Sequence, residues 1–237
     1  MEPEAIYGEG RHVRGDRGRW ERGPGGGRGA ARAGVAVRAL VRDPASVAAP
    51  EGVELVRGDL ADPAALGPAM EGADAVFLLP GYPGLAAAAR AAGVRRIVQL
   101  SGGSAGSADR SNAVTSYMND AEAEMRDSGL EWTVLRPAAF MSNALRWNEQ
   151  IRGGVVRLPF ADVPLATVHP RDIAAVAAVA MTEDGHQSMI YRPTGPVALS
   201  PPEQVAILGE ALGRSLRFEA QPNGEARREM LTTTPAA

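Results

Sequence analysis

The chain contains no cysteine, which excludes disulfide bonds, thiolate metal sites and cysteine nucleophiles. Histidine is scarce as well, and His12, His169 and His186 are too few and too scattered to predict a metal cluster. No apolar run approaches the ~20 residues of a membrane span, and the N-terminus lacks the apolar core of a signal peptide. These absences predict a cytoplasmic protein. A net charge of −3 gives no overall reason to expect a nucleic acid or a membrane as partner.

What the sequence does contain, from residue 34 onward, is a regular alternation of short apolar runs and helical segments. The runs are continuous rather than alternating, and they cover Val35–Val41, Val53–Val56, Ala73–Leu79, Val94–Leu100 and Glu131–Leu135. Continuous apolar strands indicate a sheet that is covered on both faces, and alternation with helices indicates parallel pairing with right-handed crossovers. The sequence therefore predicts an α/β fold with a doubly wound parallel sheet and a small C-terminal region on the substrate side.

The first 33 residues differ from the rest, because they are dense in arginine and glycine and follow no helical or strand period. This composition is typical of a disordered basic segment. A doubly wound fold needs its first strand, its phosphate-binding glycines and its first helix at this point. We therefore expect the central strand position of the sheet to be empty. A contact with RNA through Trp20 and the arginines is an alternative, but disorder without a partner is the favoured interpretation, and nucleic acid is not expected.

Two strand ends predict contacts with the adenosine half of a dinucleotide. In a doubly wound fold the end of the second strand meets the adenosine ribose, where a cation suits a 2′-phosphate and an acidic residue suits NAD. Arg42 stands at this position, which favours NADP over NAD, although a solvated loop arginine would look the same in the sequence. Asp59 and Leu60 follow the third strand and are expected to flank the adenine. The alternative for these two is an ordinary turn.

The next two strand ends are candidates for the cofactor crevice, which lies outside the carboxyl ends of the strands. Leu79, Pro80 and Gly81 close the fourth strand of this scheme, and Pro80 with Gly81 could equally serve only to end it. Ser101 and Gly102 follow the fifth strand. The alternative for the Ser/Gly run is a flexible loop.

Several segments together resemble the NmrA-like, atypical short-chain dehydrogenase-reductase family. They are VRALVRDP, VRGDLADPAAL, GADAVFLLPG, AAGVRRIVQLSG, SGLEWTVLRPAAFMSN, HPRDIAAVAAVAMTE and YRPTGPVALSPPEQVAILGEALGR. The resemblance implies a Rossmann domain over residues 34–237 that binds NADP, with NAD possible, and substrate-side elements mainly in 138–237. It also implies that Arg136 and Pro137 line the cofactor, and that Phe140 and Asn143 line the nicotinamide and substrate side. In the wider dehydrogenase superfamily a serine near the position of Ser101 polarises a substrate carbonyl.

The sequence departs from this family at both termini. The family opens with a strand and a TGATGxxG-type loop, whose glycines let the backbone approach the pyrophosphate, and this loop is missing. A shifted reading frame is our hypothesis, because a one-base shift at Trp20 must give Gly and GC-rich codons allow TGAAGNVG over positions 16–23. The C-terminus is expected to be short, since the segment 228–237 resembles one after which relatives continue into further helices.

The catalytic residues cannot be assigned from the sequence. Tyr117 opens the helix after the Ser/Gly run, but position 121 is Ala121, so the Tyr-x-x-x-Lys pair of a dehydrogenase acid is absent. We expect an NAD(P)H-dependent oxidoreductase that reduces quinone-like or carbonyl acceptors. The alternatives are a non-catalytic NAD(P)-sensing regulatory protein, and an inactive product of a frameshifted gene that binds the dinucleotide weakly or not at all.

Overall fold

The computed structural model describes residues 4–8 and 35–233 of the 237-residue chain. The chain divides into two compact units, one formed by residues up to 138 together with 168–193, the other by 139–167 and residues from 194 onward. Part of the region expected on the substrate side, residues 168–193, therefore belongs to the first unit. The described residues form nine strands: β1 Glu4–Gly8, β2 Ala36–Val41, β3 Val53–Arg57, β4 Ala75–Leu78, β5 Arg96–Leu100, β6 Glu131–Leu135, β7 Val155–Leu158, β8 Met189–Tyr191 and β9 Arg217–Ala220.

The first unit is built on a parallel sheet of seven strands in the order β3-β2-β1-β4-β5-β6-β8. Every residue of β4 and β5 is buried, as expected when helices cover both faces of a parallel sheet. Because all these strands run the same way, the residues that follow them meet at one carboxyl edge. The strand order reverses beside β1, and ligands of doubly wound sheets bind outside such a switch point. The predicted doubly wound parallel sheet is confirmed.

The strand β1 corrects one sequence-based expectation. It occupies the central position of the sheet, where Glu4 pairs with Ala36 of β2 and Ala5 pairs with Ala75 of β4. The expectation that this position is empty is therefore wrong. The apolar residues of EAIYG are too few to stand out from the Arg/Gly-rich composition around them, yet a five-residue strand needs only neighbours on both sides for its backbone hydrogen bonds. The rest of the segment predicted as disordered, and the proposed frame shift at positions 16–23, lie outside the described residues.

Helices connect the strands, and most of them begin where the sequence predicts. They are α1 Gly67–Met70, α2 Leu85–Ala91, α3 Ala113–Asp127, α4 Asn148–Gly153, α5 Pro170–Thr182, α6 Pro201–Leu212 and α7 Asn223–Thr233, with 3₁₀ turns at Pro44–Ser46, Pro63–Leu66 and Met141–Trp147. Ser200 and Glu203 form a capping box at the start of α6. No helix in the described part of the chain is long and apolar enough to cross a membrane. The cytoplasmic location stays a prediction.

The second unit has its own small core. Its strands β7 and β9 pair in parallel, with Val156 opposite Phe218. Val156 is fully buried and packs in one cluster with Ile151 of α4 and Val205 of α6. Arg157 donates two hydrogen bonds to the Glu225 carboxylate of α7, at 3.0 and 2.7 Å. A cluster of this size holds only a few short elements together.

Candidate active site

Arg42 lies directly after β2, at the carboxyl edge of the sheet. The neighbouring β3 ends level with it, because Val41 pairs with Arg57 and the Gly58 N–H donates to the Val41 carbonyl at 2.9 Å. The Arg42 side chain is exposed and makes no hydrogen bond or ion pair with any residue that the structure describes. A guanidinium whose donors are all available at this edge fits a phosphate group. The contact of Arg42 with a 2′-phosphate stays a prediction.

Asp59 and Leu60, which follow β3, have different environments. The Asp59 carboxylate is exposed and accepts a hydrogen bond from the Ala61 N–H at 2.9 Å, the arrangement of an Asx turn. Leu60 is only 6% exposed and packs in the core of the first unit with Leu40 and Leu66. The predicted contact of Leu60 with adenine therefore rests only on its position along the chain.

The turn after β4 is shaped by glycines and by a carboxylate of α3. Leu79 and Pro80 are half-buried, and Gly81 has a φ of 90°, a value that suits glycine. The Glu124 carboxylate of α3 accepts hydrogen bonds from the backbone N–H of Gly84, at 2.9 and 3.0 Å. The N-terminal end of α2 is thus closed by a side chain of this protein, and Leu79, Pro80 and Gly81 remain candidates for the cofactor crevice.

Ser101 and Arg136 meet at one buried carboxylate that sequence reasoning missed. The Glu122 side chain of α3 accepts a hydrogen bond from the Ser101 Oγ at 2.6 Å. It also accepts two from Arg136, from Nε at 2.8 Å and from Nη2 at 2.6 Å. Glu122 is completely buried, and Arg126 Nη2 approaches its Oε2 to 2.6 Å. This network joins the ends of β5 and β6 to α3.

The network fixes the charge state of its members. Burial raises the pKa of Glu122, but the hydrogen bonds from Arg136 and Ser101 and the charges of Arg136 and Arg126 outweigh it, so the pKa lies below its ordinary value. The hydrogen bonds to Glu122 likewise raise the pKa of Arg136. Since the Ser101 hydroxyl already donates to Glu122, its predicted role toward a substrate carbonyl would require it to leave this partner.

At the same edge of the sheet, the backbone at Gly102 and Pro137 lies close to neighbouring residues. A Cβ at Gly102 would lie 2.7 Å from the Met118 Cε, so the loop after β5 runs close against α3. The Pro137 carbonyl faces Gly103, where a Cβ would lie 3.3 Å away. Gly106 N–H donates to Asn119 Oδ1 at 2.7 Å. These contacts fix the loop course, and the cofactor contacts of Gly102 and Pro137 stay predictions.

Tyr117 lacks the surroundings of a catalytic acid. Its side chain is 39% exposed and its ring lies against Gly81, where a Cβ would be 3.7 Å from Cδ2. Partial burial raises the pKa of Tyr117 above its ordinary value. The sequence contains no lysine at all, so no ammonium group is available to lower that pKa. This environment does not favour Tyr117 as a general acid.

A cleft of about 490 Å³ opens at the carboxyl ends of β5, β6 and β8, a size typical of small-molecule sites. Its lining comes from the loop after β5, from the start of α3 and from the residues that follow β6 and β8. These are Gly103, Ser104, Ala105, Gly106, Ser107, Asp109, Asn112, Thr115, Arg136 and Arg192. Sequence reasoning missed Arg192, which has no signal beyond its place after an apolar strand. Glu122 could have been found from the sequence, because its carboxylate lies on the same helix face as Thr115 and Met125, which are both buried.

Phe140 and Asn143 belong to the second unit. Phe140 is half-buried and its carbonyl accepts a hydrogen bond from the Asn143 N–H at 3.0 Å, which opens the 3₁₀ turn Met141–Trp147. The Asn143 side chain is exposed. Both residues follow closely on Arg136 in the chain, and their contact with substrate stays a prediction.

The strand order and the cleft at the carboxyl edge define a Rossmann-type dinucleotide-binding protein. A family model described as NAD(P)H-binding matches residues 28–184. The chain belongs to this NAD(P)H-binding family. The predicted family and the predicted NAD(P) cofactor class are thereby confirmed.

Three characterised relatives are reductases or oxidoreductases by name. The (4-alkanoyl-5-oxo-2,5-dihydrofuran-3-yl)methyl phosphate reductase of Streptomyces griseus is 44% identical over 207 residues, covering 84% of this chain and 73% of that protein. The NAD(P)H azoreductase of Xenophilus azovorans is 35% identical over 204 residues, covering 81% and 71%. Quinone oxidoreductase 2 of Escherichia coli is 28% identical over 199 residues, covering 76% and 67%.

Solved structures agree on the fold. The NADPH-dependent quinone oxidoreductase of Escherichia coli superposes with a TM-score of 0.76 at 24% identity, covering 98% of this chain and 83% of that chain. Its complex with NADPH superposes with a TM-score of 0.74 at 22% identity over the same shares. A triphenylmethane reductase of Citrobacter sp. gives 0.75 at 19% identity, covering 97% and 82%.

The described residues fit an NADP-type dinucleotide. Arg42 offers an unpaired guanidinium after β2, and Asp59 offers an exposed carboxylate after β3, both at the edge where the adenosine half is expected. Gly81 keeps the turn after β4 free of a side chain. These three residues, with Leu79 and Pro80, would hold the cofactor. Residues 9–34, where a dinucleotide-binding fold of this type needs its phosphate-binding turn and where this sequence lacks the glycine pattern, lie outside the described residues.

Proposed function

We propose that this protein is an NADPH-dependent reductase of quinone-like or carbonyl acceptors. The observation that carries the proposal is the position of the cleft, which opens at the carboxyl edge of the sheet. Arg42, whose guanidinium has no partner among the described residues, follows β2 at the same edge. A cofactor that spans this edge from Arg42 would bring its reactive ring toward the ends of β5 and β6. The relatives named above support reductase chemistry, and their acceptors include quinones, azo compounds and a lactone methyl phosphate. All three classes are candidates here.

The chain would mainly bind and orient the reactants. NADPH, when bound, supplies the hydride. Arg42 would hold the 2′-phosphate, and the cleft would hold the acceptor against Ser104, Ser107 and the edge of Arg136. Glu122 fixes Arg136 through two hydrogen bonds, so the guanidinium keeps one orientation. No lysine-assisted tyrosine is available, because the sequence contains no lysine, so the acceptor's reduction should not depend on that acid.

The proposal is tested by following NADPH oxidation with a panel of quinones, azo dyes, aldehydes and butenolides. A thermal shift with NADPH on the same preparation reports cofactor binding separately. We expect a clear rise in melting temperature and turnover with at least one acceptor class. A preparation whose melting temperature does not move with NADPH would instead support the weak-binding alternative.

A second candidate function is an NAD(P)-sensing regulatory protein without turnover. Two observations support this candidate. The Ser101 hydroxyl already donates a hydrogen bond to Glu122, and partial burial raises the pKa of Tyr117. In this case NADPH would bind and raise the melting temperature, but no acceptor in the panel would be reduced. The same two measurements therefore separate a reductase, a sensor and a chain that binds no dinucleotide.

A further inference from the structure

The guanidinium of Arg136 leaves one edge without a partner. Its Nε and Nη2 donate to Glu122, whereas Nη1 has no acceptor among the residues that the structure describes. The side chain is 8% exposed and lines the cleft. A Cβ at Gly106 would lie 2.6 Å from this Nη1, so the loop backbone packs closely beside it. A buried donor without an acceptor costs free energy, and the cleft is where an acceptor can reach it.

A second arginine, Arg192 at the end of β8, lines the same cleft. Arg192 follows Tyr191 directly, is exposed, and makes no hydrogen bond or ion pair within residues 4–8 and 35–233. The backbone N–H of Arg136 donates a hydrogen bond to the Tyr191 carbonyl at 2.8 Å. This bond holds the ends of β6 and β8, which carry the two arginines, side by side. Two arginines thus line one cleft, and each has guanidinium donors without an acceptor among the described residues, a combination that suits an anionic group.

The charges around the cleft leave a net positive balance. Arg136 and Arg126 share the single carboxylate of Glu122, and Arg192 adds a third cation. Asp109 is the acidic residue among the cleft residues described, and its carboxylate accepts a hydrogen bond from the Ser111 N–H at 2.9 Å. Three cations against two carboxylates favour a ligand that carries negative charge.

We propose that the cleft binds a phosphate monoester on the substrate, between the free edge of Arg136 and the Arg192 guanidinium. The hydroxyls of Ser104 and Ser107 line the same cleft and supply further donors to a group with three acceptor oxygens. The acceptor specificity of this site is then for a phosphorylated carbonyl or lactone compound rather than a neutral quinone. This assignment rests on the proposed reductase function, which places the reducible part of the substrate at the same edge of the sheet.

The test measures binding and turnover separately on the full chain. Calorimetry compares a saturated lactone methyl phosphate, which cannot be reduced, with its parent alcohol and with inorganic phosphate, in the presence of NADPH. The variants are Arg192→Gln, Arg192→Lys and, as the matched control, Arg227→Gln. Arg227 on α7 is likewise exposed and makes no hydrogen bond or ion pair within the described part, and it is not among the cleft residues.

We expect the phosphate ester to bind at least about tenfold more tightly than the alcohol. The Arg192→Gln variant should bind the phosphate ester about tenfold more weakly than the wild type does. Arg192→Lys should recover part of the loss, and Arg227→Gln should bind like the wild type. Equal affinity for ester and alcohol, or equal losses in the Arg192 and Arg227 variants, would overturn the proposal. Inorganic phosphate that binds as tightly as the ester would assign a free-phosphate site instead and overturn the substrate assignment.

Measurements of turnover test the phosphate site and the reductase function independently of each other. If the ester binds through Arg192 but its unsaturated form is not reduced by NADPH, the reductase function fails while the phosphate site stands. If quinones are reduced and the ester does not bind, the reductase function stands and the phosphate site is wrong. A functioning phosphate site should give a raised KM for the unsaturated ester in Arg192→Gln, with an unchanged KM for a neutral quinone.

Discussion

Glu122 and Arg136 form a bidentate ion pair whose two side chains are almost entirely removed from water. The pair connects α3 to the end of β6, and the Ser101 hydroxyl adds the end of β5 to the same carboxylate. Three elements that surround the cleft are thus fixed to one another through a single side chain. Charged groups so deeply buried are stable only when each keeps its partner.

The first prediction concerns this pair. Glu122→Gln removes the charge but keeps the shape, so Arg136 is left buried without a counter-ion. We expect the free energy of unfolding to fall by about 3–5 kcal/mol, measured by urea denaturation with fluorescence and circular dichroism as paired probes. Asp127→Asn, at an exposed acidic position of the same helix with no partner in the described part, should change it by less than about 0.5 kcal/mol. Equal effects of the two variants would contradict the buried-pair interpretation.

The second prediction concerns acid stability. The pKa of Glu122 lies below its ordinary value of 4.5 in the folded chain, so the folded state holds this proton less tightly than the unfolded state. The stabilisation is therefore complete above the ordinary pKa and is lost as the pH falls through the lowered value. Between about pH 6 and about pH 3 the stability of the wild type should fall more steeply than that of Glu122→Gln. Parallel curves for the two proteins would show that Glu122 does not titrate in this way.

The third prediction concerns cofactor choice. Arg42→Gln removes the cation expected at the 2′-phosphate and leaves every described hydrogen bond of the fold intact. We expect the affinity for NADPH to fall by about tenfold or more, since a charge-assisted contact contributes roughly 1.5–3 kcal/mol, while the affinity for NADH stays the same. Fluorescence titration of both nucleotides measures this, with Arg227→Gln as the control. A parallel loss for NADH and NADPH would place Arg42 away from the 2′-phosphate.

The fourth prediction concerns Tyr117. Its pKa is raised by partial burial, and the chain has no lysine to lower it, so the phenol is poorly suited to proton transfer near neutral pH. Tyr117→Phe should therefore keep kcat within about twofold of the wild type with any acceptor that the protein reduces, whereas loss of a true general acid costs about 10²–10⁴-fold. A loss in that range, with an unchanged KM for NADPH, would identify Tyr117 as the acid.

The sequence is sufficient to predict a structural feature when that feature depends only on residues a few positions apart. The capping box at Ser200 and Glu203 is read from four adjacent positions and is present. His169 directly precedes Pro170, and its Nδ1 accepts a hydrogen bond from the Arg171 N–H at 3.1 Å at the start of α5. Asp62 shows the limit of such signals. An Asp before Pro is typical of a helix start, but Asp62 makes no side-chain cap hydrogen bond, and the chain continues as a 3₁₀ turn.

The amino-acid pattern alone determined the parallel α/β architecture and the position of Arg42 after the second strand, because both depend on apolar runs and on the residues that end them. The family was indicated by the resemblance of several segments to known members. Only the tertiary structure decided that Glu4–Gly8 is the central strand, since this depends on backbone pairing with Ala36–Val41 and Ala75–Leu78 rather than on local composition. It likewise decided that Glu122 lies against Arg136 and that Arg192 reaches the same cleft. These residues are far apart along the chain, and the packing of α3 against adjacent strand ends brings them together.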